Sequence, residues 1–139
     1  MFLLSKSSLT KKGRIERLWL TMIKVSDIST SLHFYSKILE LPVALEARKF
    51  NHAEVGPKEP CAKIGLHETG KKNRRKKRTG IVFETDDIYA FYNRLKDQGV
   101  RFTLKPTKMP WGGIVADFLD PDNNELEIVQ DPDHYKRQY

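Results

Sequence analysis

Four histidines, one cysteine and a handful of carboxylates on alternating strand-like runs are where this chain could do chemistry. Glu127 stands in Glu125-Leu-Glu-Ile-Val129, with apolar residues on both sides. A carboxylate held there could bind a ligand or take a proton from it; the plainer reading is an ionised, hydrated side chain at the mouth of a cup. His67 closes a similar run, Lys63-Ile-Gly-Leu-His67, and is either an exposed strand end or a ligand group. His33 falls in a helical pattern and His52 on a middle strand, both readable as ordinary surface residues. A metal held by His52, His67 and Glu127 has no sequence spacing behind it. His134 lies in a polar tail, and Cys61 reads as a small packing residue. Trp111-Gly-Gly113 marks a loop that packs closely on something. Its ring could stack a planar ligand or simply cover a sheet edge. No Ser-His-Asp arrangement, phosphate-cradling glycine loop or Cys-His cluster is visible.

The charge is as localised as the chemistry. Net charge is +7, and residues 71–78 read KKNRRKKR. Without them the remaining 18 basic residues match the 18 acidic ones, so the rest of the chain is neutral. A nucleic-acid binder spreads basic charge over a folded face with aromatics or a reading helix alongside. Here neither is present, so the run reads as a solvated linker that could attract polyanions in a salt-dependent way. Nucleic acid is not an expected partner. No apolar run nears the ~20 residues of a membrane span. The start, Met1-Phe-Leu-Leu, lacks a long apolar region or a small-residue cleavage site, and one cysteine suits a reducing compartment. The expected location is the cytoplasm, with no membrane partner.

The elements that must position these residues come in two matching sets. Leu20-Thr-Met-Ile-Lys-Val-Ser-Asp27-Ile28 leads into a helical pattern, and so does Gly80-Ile-Val-Phe-Glu-Thr-Asp-Asp87-Ile88, about sixty residues on. Ile64-Gly65-Leu66 answers Leu126-Glu127-Ile128. Alternation predicts strands near 17–25, 43–47, 50–55 and 61–67, then 80–85, 101–106, 113–119 and 125–130. Asp27 and Asp86 or Asp87 start helices running to Leu39 and Gln98; Leu41-Pro42 and Gly99 stop them. Asp120-Pro-Asp-Asn-Asn124 is a turn. The expected fold is α+β, two βαβββ modules in tandem forming a cupped mixed sheet with helices on its outer face. The domain spans 15–131: module one 17–67, a basic linker 68–79 and module two 80–131. Flexible tails are expected at 1–14 and 132–139.

That order and those strings resemble the vicinal oxygen chelate superfamily, which includes glyoxalase I, extradiol dioxygenases, and fosfomycin- and bleomycin-resistance proteins. The resemblance is carried by Val25-Ser-Asp-Ile28 with Ser31-Leu-His-Phe-Tyr35, and by Phe83-Glu-Thr-Asp-Asp-Ile88 with Arg94-Leu-Lys-Asp-Gln-Gly-Val100. Most specific is Phe118-Leu-Asp-Pro-Asp-Asn-Asn-Glu-Leu-Glu127, where the family commonly has Gly in place of Asn123. It covers roughly residues 17–131. Metal-dependent members carry ligands on the first and last strand of each module, positions that fall on Leu20, Gly80, Gly65 and Glu127. Only Glu127 can coordinate, so no cofactor is expected, a divalent metal being the alternative.

Strand parity then lines the implied cleft with Met22, Lys24, Lys63 and His67 from module one and Val82, Glu84 and Glu127 from module two, with Trp111 as a wall. Such a mixed lining suits a small polar-aromatic or zwitterionic ligand, with Glu127 binding or deprotonating it. The alternatives are a metal-dependent lyase or dioxygenase with displaced ligands, and a partner- or polyanion-binding module using the loop 71–78. The resemblance also implies a homodimer, with modules paired within one chain or exchanged between two.

Overall fold

The structure is a computed structural model that describes residues 12–132. His134 and most of both expected tails lie outside the described residues. Module one consists of β1 (Leu20–Val25), α1 (Ile28–Leu32) continued by a π-helical turn (His33–Ile38), β2 (Val43–Ala47), a 3-10 turn (Arg48–Phe50), β3 (His52–Val55) and β4 (Lys63–Glu68). Module two repeats the order with β5 (Lys77–Glu84), α2 (Ile88–Asp97), β6 (Phe102–Lys108), β7 (Ile114–Leu119) and β8 (Asn124–Gln130). The expected fold is the one observed, its mixed sheet divided into two four-stranded sheets, ordered β1-β4-β3-β2 and β5-β8-β7-β6. In each, the first and last strands of the module run parallel and the other pairs antiparallel.

Both helices begin by the same device. Asp27 accepts from Thr30 N and Asp87 from Ala90 N, each satisfying an amide that the first turn leaves free. A second acceptor reaches in from the closing strand: Glu68 Oε2 takes Ile28 N at 2.9 Å, and Gln130 Oε1 takes Ile88 N at 2.8 Å. So each helix is tied at its origin to the last strand of its own module.

The first helix departs from expectation. It does not run as α-helix to Leu39 but widens after Leu32, with Leu39 N bonding Phe34 O and Leu41 N bonding Tyr35 O. Ser36 Oγ donates to Leu32 O at 2.5 Å, a side-chain bond that competes with the regular ladder. The wider turn lets the consecutive residues Phe34 and Tyr35 both bury, edge to face at 5.0 Å.

One core serves both modules. Ile23, Val25, Ile28 and Leu66 from the first cluster with Ile88, Leu95, Phe118 and Leu126 from the second. Each such side chain removed from water contributes about 1.5–3 kcal/mol. Polar links cross the junction too. Tyr35 Oη donates to Asp120 Oδ2 at 2.7 Å, Asn124 Nδ2 donates to Lys24 O at 3.0 Å, and Arg94 Nη1 donates to Ile38 O at 3.0 Å.

The basic stretch is less linker-like than its composition suggests. Lys77 and Arg78 already belong to β5. Asn73 is pinned to the β7–β8 turn: its Nδ2 donates to Asn124 Oδ1, and its carbonyl accepts from Asn123 Nδ2. Trp19 lies outside the ladder and is exposed, and Cys61, expected to pack, is exposed as well.

Candidate functional site

Register lays the two sheets out as matching rows. In module one, Met22 sits beside Gly65, Gly65 beside Glu54 and Glu54 beside Leu45. In module two, Val82 sits beside Glu127, Glu127 beside Asp117 and Asp117 beside Leu104. The rows correspond: an apolar residue, the closing-strand position, a buried acid, a leucine. Met22 and Val82 are 51% and 54% exposed, so both rows open on an uncovered apolar side chain. Glu54 and Asp117 are each only 8% exposed.

The chemistry concentrates in module two. Arg78 reaches across three carboxylates: Glu125 Oε1 at 3.0 Å, Glu127 Oε2 at 3.1 Å and Asp117 Oδ2 at 3.5 Å. Lys76 Nζ lies 3.3 Å from Glu125 Oε2, and Thr103 Oγ1 donates to the same oxygen at 2.6 Å. Burial pushes Glu125 up, yet the bonds from Thr103, Lys76 and Arg78 outweigh it and hold its carboxyl below the usual range. Glu127 goes the other way. Burial raises it and the neighbouring Asp117 carboxylate adds to that, while Arg78 only partly offsets them. Asp117 Oδ1 is buried without a hydrogen-bond partner. Glu127 is therefore more ready than Glu125 to hold a proton and exchange it with a bound molecule.

A bulge in β5 explains how Arg78 arrives there. Arg78 and Val82 are four positions apart while their partners Glu125 and Glu127 are two apart. Gly80 sits in this bulge at φ +77°, a left-handed conformation that glycine takes without strain. The two extra residues leave the alternation unchanged, so Arg78 keeps the face of Val82 and Glu127 and stands one pair away from them.

The four positions that the resemblance assigns to metal ligands supply a single donor, Glu127, which Arg78 already engages. At Gly65 a Cβ would meet Met22 Sδ at 2.9 Å and Leu20 Cδ1 at 3.3 Å, so apolar side chains fill the space a ligating group would cross. Among the described residues no three His, Cys, Asp or Glu side chains group as a metal site. This donor set does not fit a divalent ion.

The other residues singled out from sequence fall in different places. Lys24 lies beside His67, and His67 opposite His52, whose Nε2 is 2.9 Å from Glu54 Oε2. Lys63 Nζ is engaged by Cys61 O at 2.7 Å and by Glu59 at 3.6 Å. Glu84 lines a cavity of about 190 Å³ with Leu39, Leu41, Phe83, Phe91 and Arg94, apart from the Arg78 cluster. Trp111 packs its ring over Gly113, where any Cβ would strike it at 2.1 Å. Met22 and Lys24 line a second cavity of about 180 Å³, at the seam where β1 approaches the start of β5; Asn73, Lys77, Arg78 and Asn124 complete it.

Arg78, Asp117 and Glu54 were not singled out from sequence. Arg78 was hidden in the basic run. The two acids carried a signal: Ala53-Glu-Val55 and Ala116-Asp-Phe118 each set a carboxylate between residues that bury, in corresponding strands of the two modules.

Residues 17–128 match the family model described as Glyoxalase/Bleomycin resistance protein/Dioxygenase superfamily. A crystal structure of a member of that superfamily from Sphaerobacter thermophilus is 30% identical, with a TM-score of 0.74 over 84% of this chain and 98% of that one. TnmS3, an antibiotic binding protein from Streptomyces, is 25% identical, with a TM-score of 0.69 over 85% of this chain and 98% of that one. A lactoylglutathione lyase of Neisseria meningitidis is 28% identical over 124 residues, covering 82% of this chain and 90% of the relative.

Proposed function

Since the chain belongs to the glyoxalase/bleomycin resistance protein/dioxygenase superfamily, we propose that it binds a small organic molecule between its two modules without drawing on a divalent metal. The observation that carries this reading is the exchange of ligand groups for Leu20, Gly65 and Gly80, together with a surviving carboxyl, Glu127, that is poised to share a proton. Likeness to an antibiotic binding protein supports it. The ligand we infer is polar-aromatic or zwitterionic. Its apolar part lies on Met22 and Val82, and its polar part on Glu127, which binds or deprotonates it.

The test is a thermal-shift screen of chelator-treated protein against aromatic and zwitterionic small molecules. A ligand that binds only the native state raises the melting temperature without metal. Glu127→Ala is expected to abolish the shift given by each such compound; a full shift in that variant would sink the role of Glu127. Stoichiometric zinc, nickel, manganese or iron in protein purified without added metal would instead favour a second reading, a lyase or dioxygenase with displaced ligands. Similarity to a lactoylglutathione lyase is what keeps that reading in view.

We also infer a homodimer. Met22, Val43, Leu45 and Val82 are large apolar side chains left exposed on the strands that carry the two rows. A second copy covering them would remove that area from water and close the ligand space. Sedimentation velocity is expected to return twice the mass of one chain, and a single-chain mass would remove this part of the reading.

A further inference from the structure

The seam cavity differs in charge from the carboxylate row beside it. Its charged lining residues are Lys24, from module one, and Lys77 and Arg78, from module two, and no carboxylate lines it. Arg78 has both terminal nitrogens on Asp117, Glu125 and Glu127. Lys24 and Lys77 have no acidic partner among the described residues. The two lysines therefore line one small cleft without an acid of their own, and an anion entering it would meet positive charge from both modules. Their backbones are also fixed. Asn124 Nδ2 holds Lys24 O at 3.0 Å, and Lys77 N donates to Asn123 O at 2.8 Å. The cleft thus exists only where the two modules meet. Its volume of about 180 Å³ suits a small group, not a polymer, and Met22 supplies an apolar wall. The adjoining exposed cations Lys71, Lys72, Arg74 and Arg75 add a positive field that would draw anions toward it.

We propose that this seam cleft is the subsite for an anionic group, a carboxylate or a phosphate, on a small organic ligand whose apolar part rests on Met22. The proposal rests on the small-molecule reading above and names the charge of that molecule: Lys24 and Lys77 hold its anionic end while Glu127 meets a proton-bearing group on it.

The experiment is isothermal titration of metal-free protein with phenyl phosphate, benzoate and benzyl alcohol. At least one of the two anions is expected to bind, more weakly as salt rises, and the neutral alcohol is not. The tighter anion identifies which group the cleft takes. Lys24→Gln with Lys77→Gln is expected to weaken that anion about tenfold or more. Lys24→Arg with Lys77→Arg should restore most of it, which separates lost charge from lost folding. Lys105→Gln with Lys108→Gln removes the same charge from the exposed strand β6 and should change the affinity little. Equal affinity in the Lys24/Lys77 variant, or an equal loss in the β6 variant, would overturn the proposal. So would binding of a single-stranded oligonucleotide with neither small anion bound, because the basic loop and not the cleft would then be the site. An anion lost with the lysines but kept by Glu127→Ala would leave the seam standing and remove Glu127 from the ligand. The reverse pattern would keep Glu127 and remove the seam.

Discussion

Arg78 is the residue on which the candidate site turns. Without it, Asp117, Glu125 and Glu127 would be three carboxylates on adjacent strands, and like charges placed across a sheet repel. Arg78→Ala is therefore expected to destabilise the protein at pH 7. The guanidinium is more than half exposed, so solvent screening keeps the loss to about 1–2 kcal/mol. The pH dependence gives the cause away. Glu125 is held below its ordinary range in the folded protein, so its contribution is present above the unfolded value of about 4.3 and fades as pH falls through the folded one. Glu127 is raised, so its contribution has the opposite sign, fully present below the unfolded value and lost as pH climbs through the folded one. Removing Arg78 lifts both carboxyls. The gap in melting temperature between wild type and variant should thus be widest near pH 7 and shrink toward pH 4. A gap that stays constant across that range would mean that Arg78 acts by packing and not by charge.

At the scale of elements, what the sequence discloses is what is local. Asp27 and Asp87 start their helices because a short side chain reaches amides only three residues on, and a reader of the chain sees that spacing directly. Gly99 stops the second helix at φ +86° for an equally local reason. The second half of each start is invisible in one dimension: Glu68 and Gln130 lie about forty residues from the amides they accept. The widened turn after Leu32 was missed because its cause is mixed. Ser36 supplies a local competitor, but the driving gain is the burial of both Phe34 and Tyr35 in a core that module two completes. Strand alternation groups Val82 with Glu127, and the two are neighbours in register. It did not place Arg78, because a basic octapeptide looks the same whether it is solvated or folded onto acids. Glu54 and Asp117 were passed over because they stand on strands whose other residues are buried, where an acid reads as a break in an apolar pattern.

At the scale of the molecule, the two modules are one cooperative body, and Tyr35 shows why. Its hydroxyl enters the far module and donates to Asp120, which also accepts from Asp122 N, Asn124 N and Asn124 Nδ2. Burial raises the Asp120 carboxyl, and those hydrogen bonds oppose the rise. Burial, with the Asp120 charge behind it, pushes the Tyr35 phenol well above its ordinary value, so it remains a donor at any physiological pH. Tyr35→Phe keeps the ring in the core and removes only the bond. The expected loss is about 1.5–3 kcal/mol, the range for a buried hydrogen bond to a charged group. At roughly 4 °C per kcal/mol for a domain of this size, that is a fall of about 6–12 °C in melting temperature. Losing this donor lifts Asp120 further, so the deficit should be largest where Asp120 is ionised and lessen as it protonates in acid. Because residues of both modules share one apolar cluster, the variant should still melt in a single step, with near- and far-ultraviolet circular dichroism giving coincident transitions. Two separated transitions would mean that the modules fold independently. The seam between them would then be a docked interface, and a ligand bound across it would have to supply the coupling that a shared core provides.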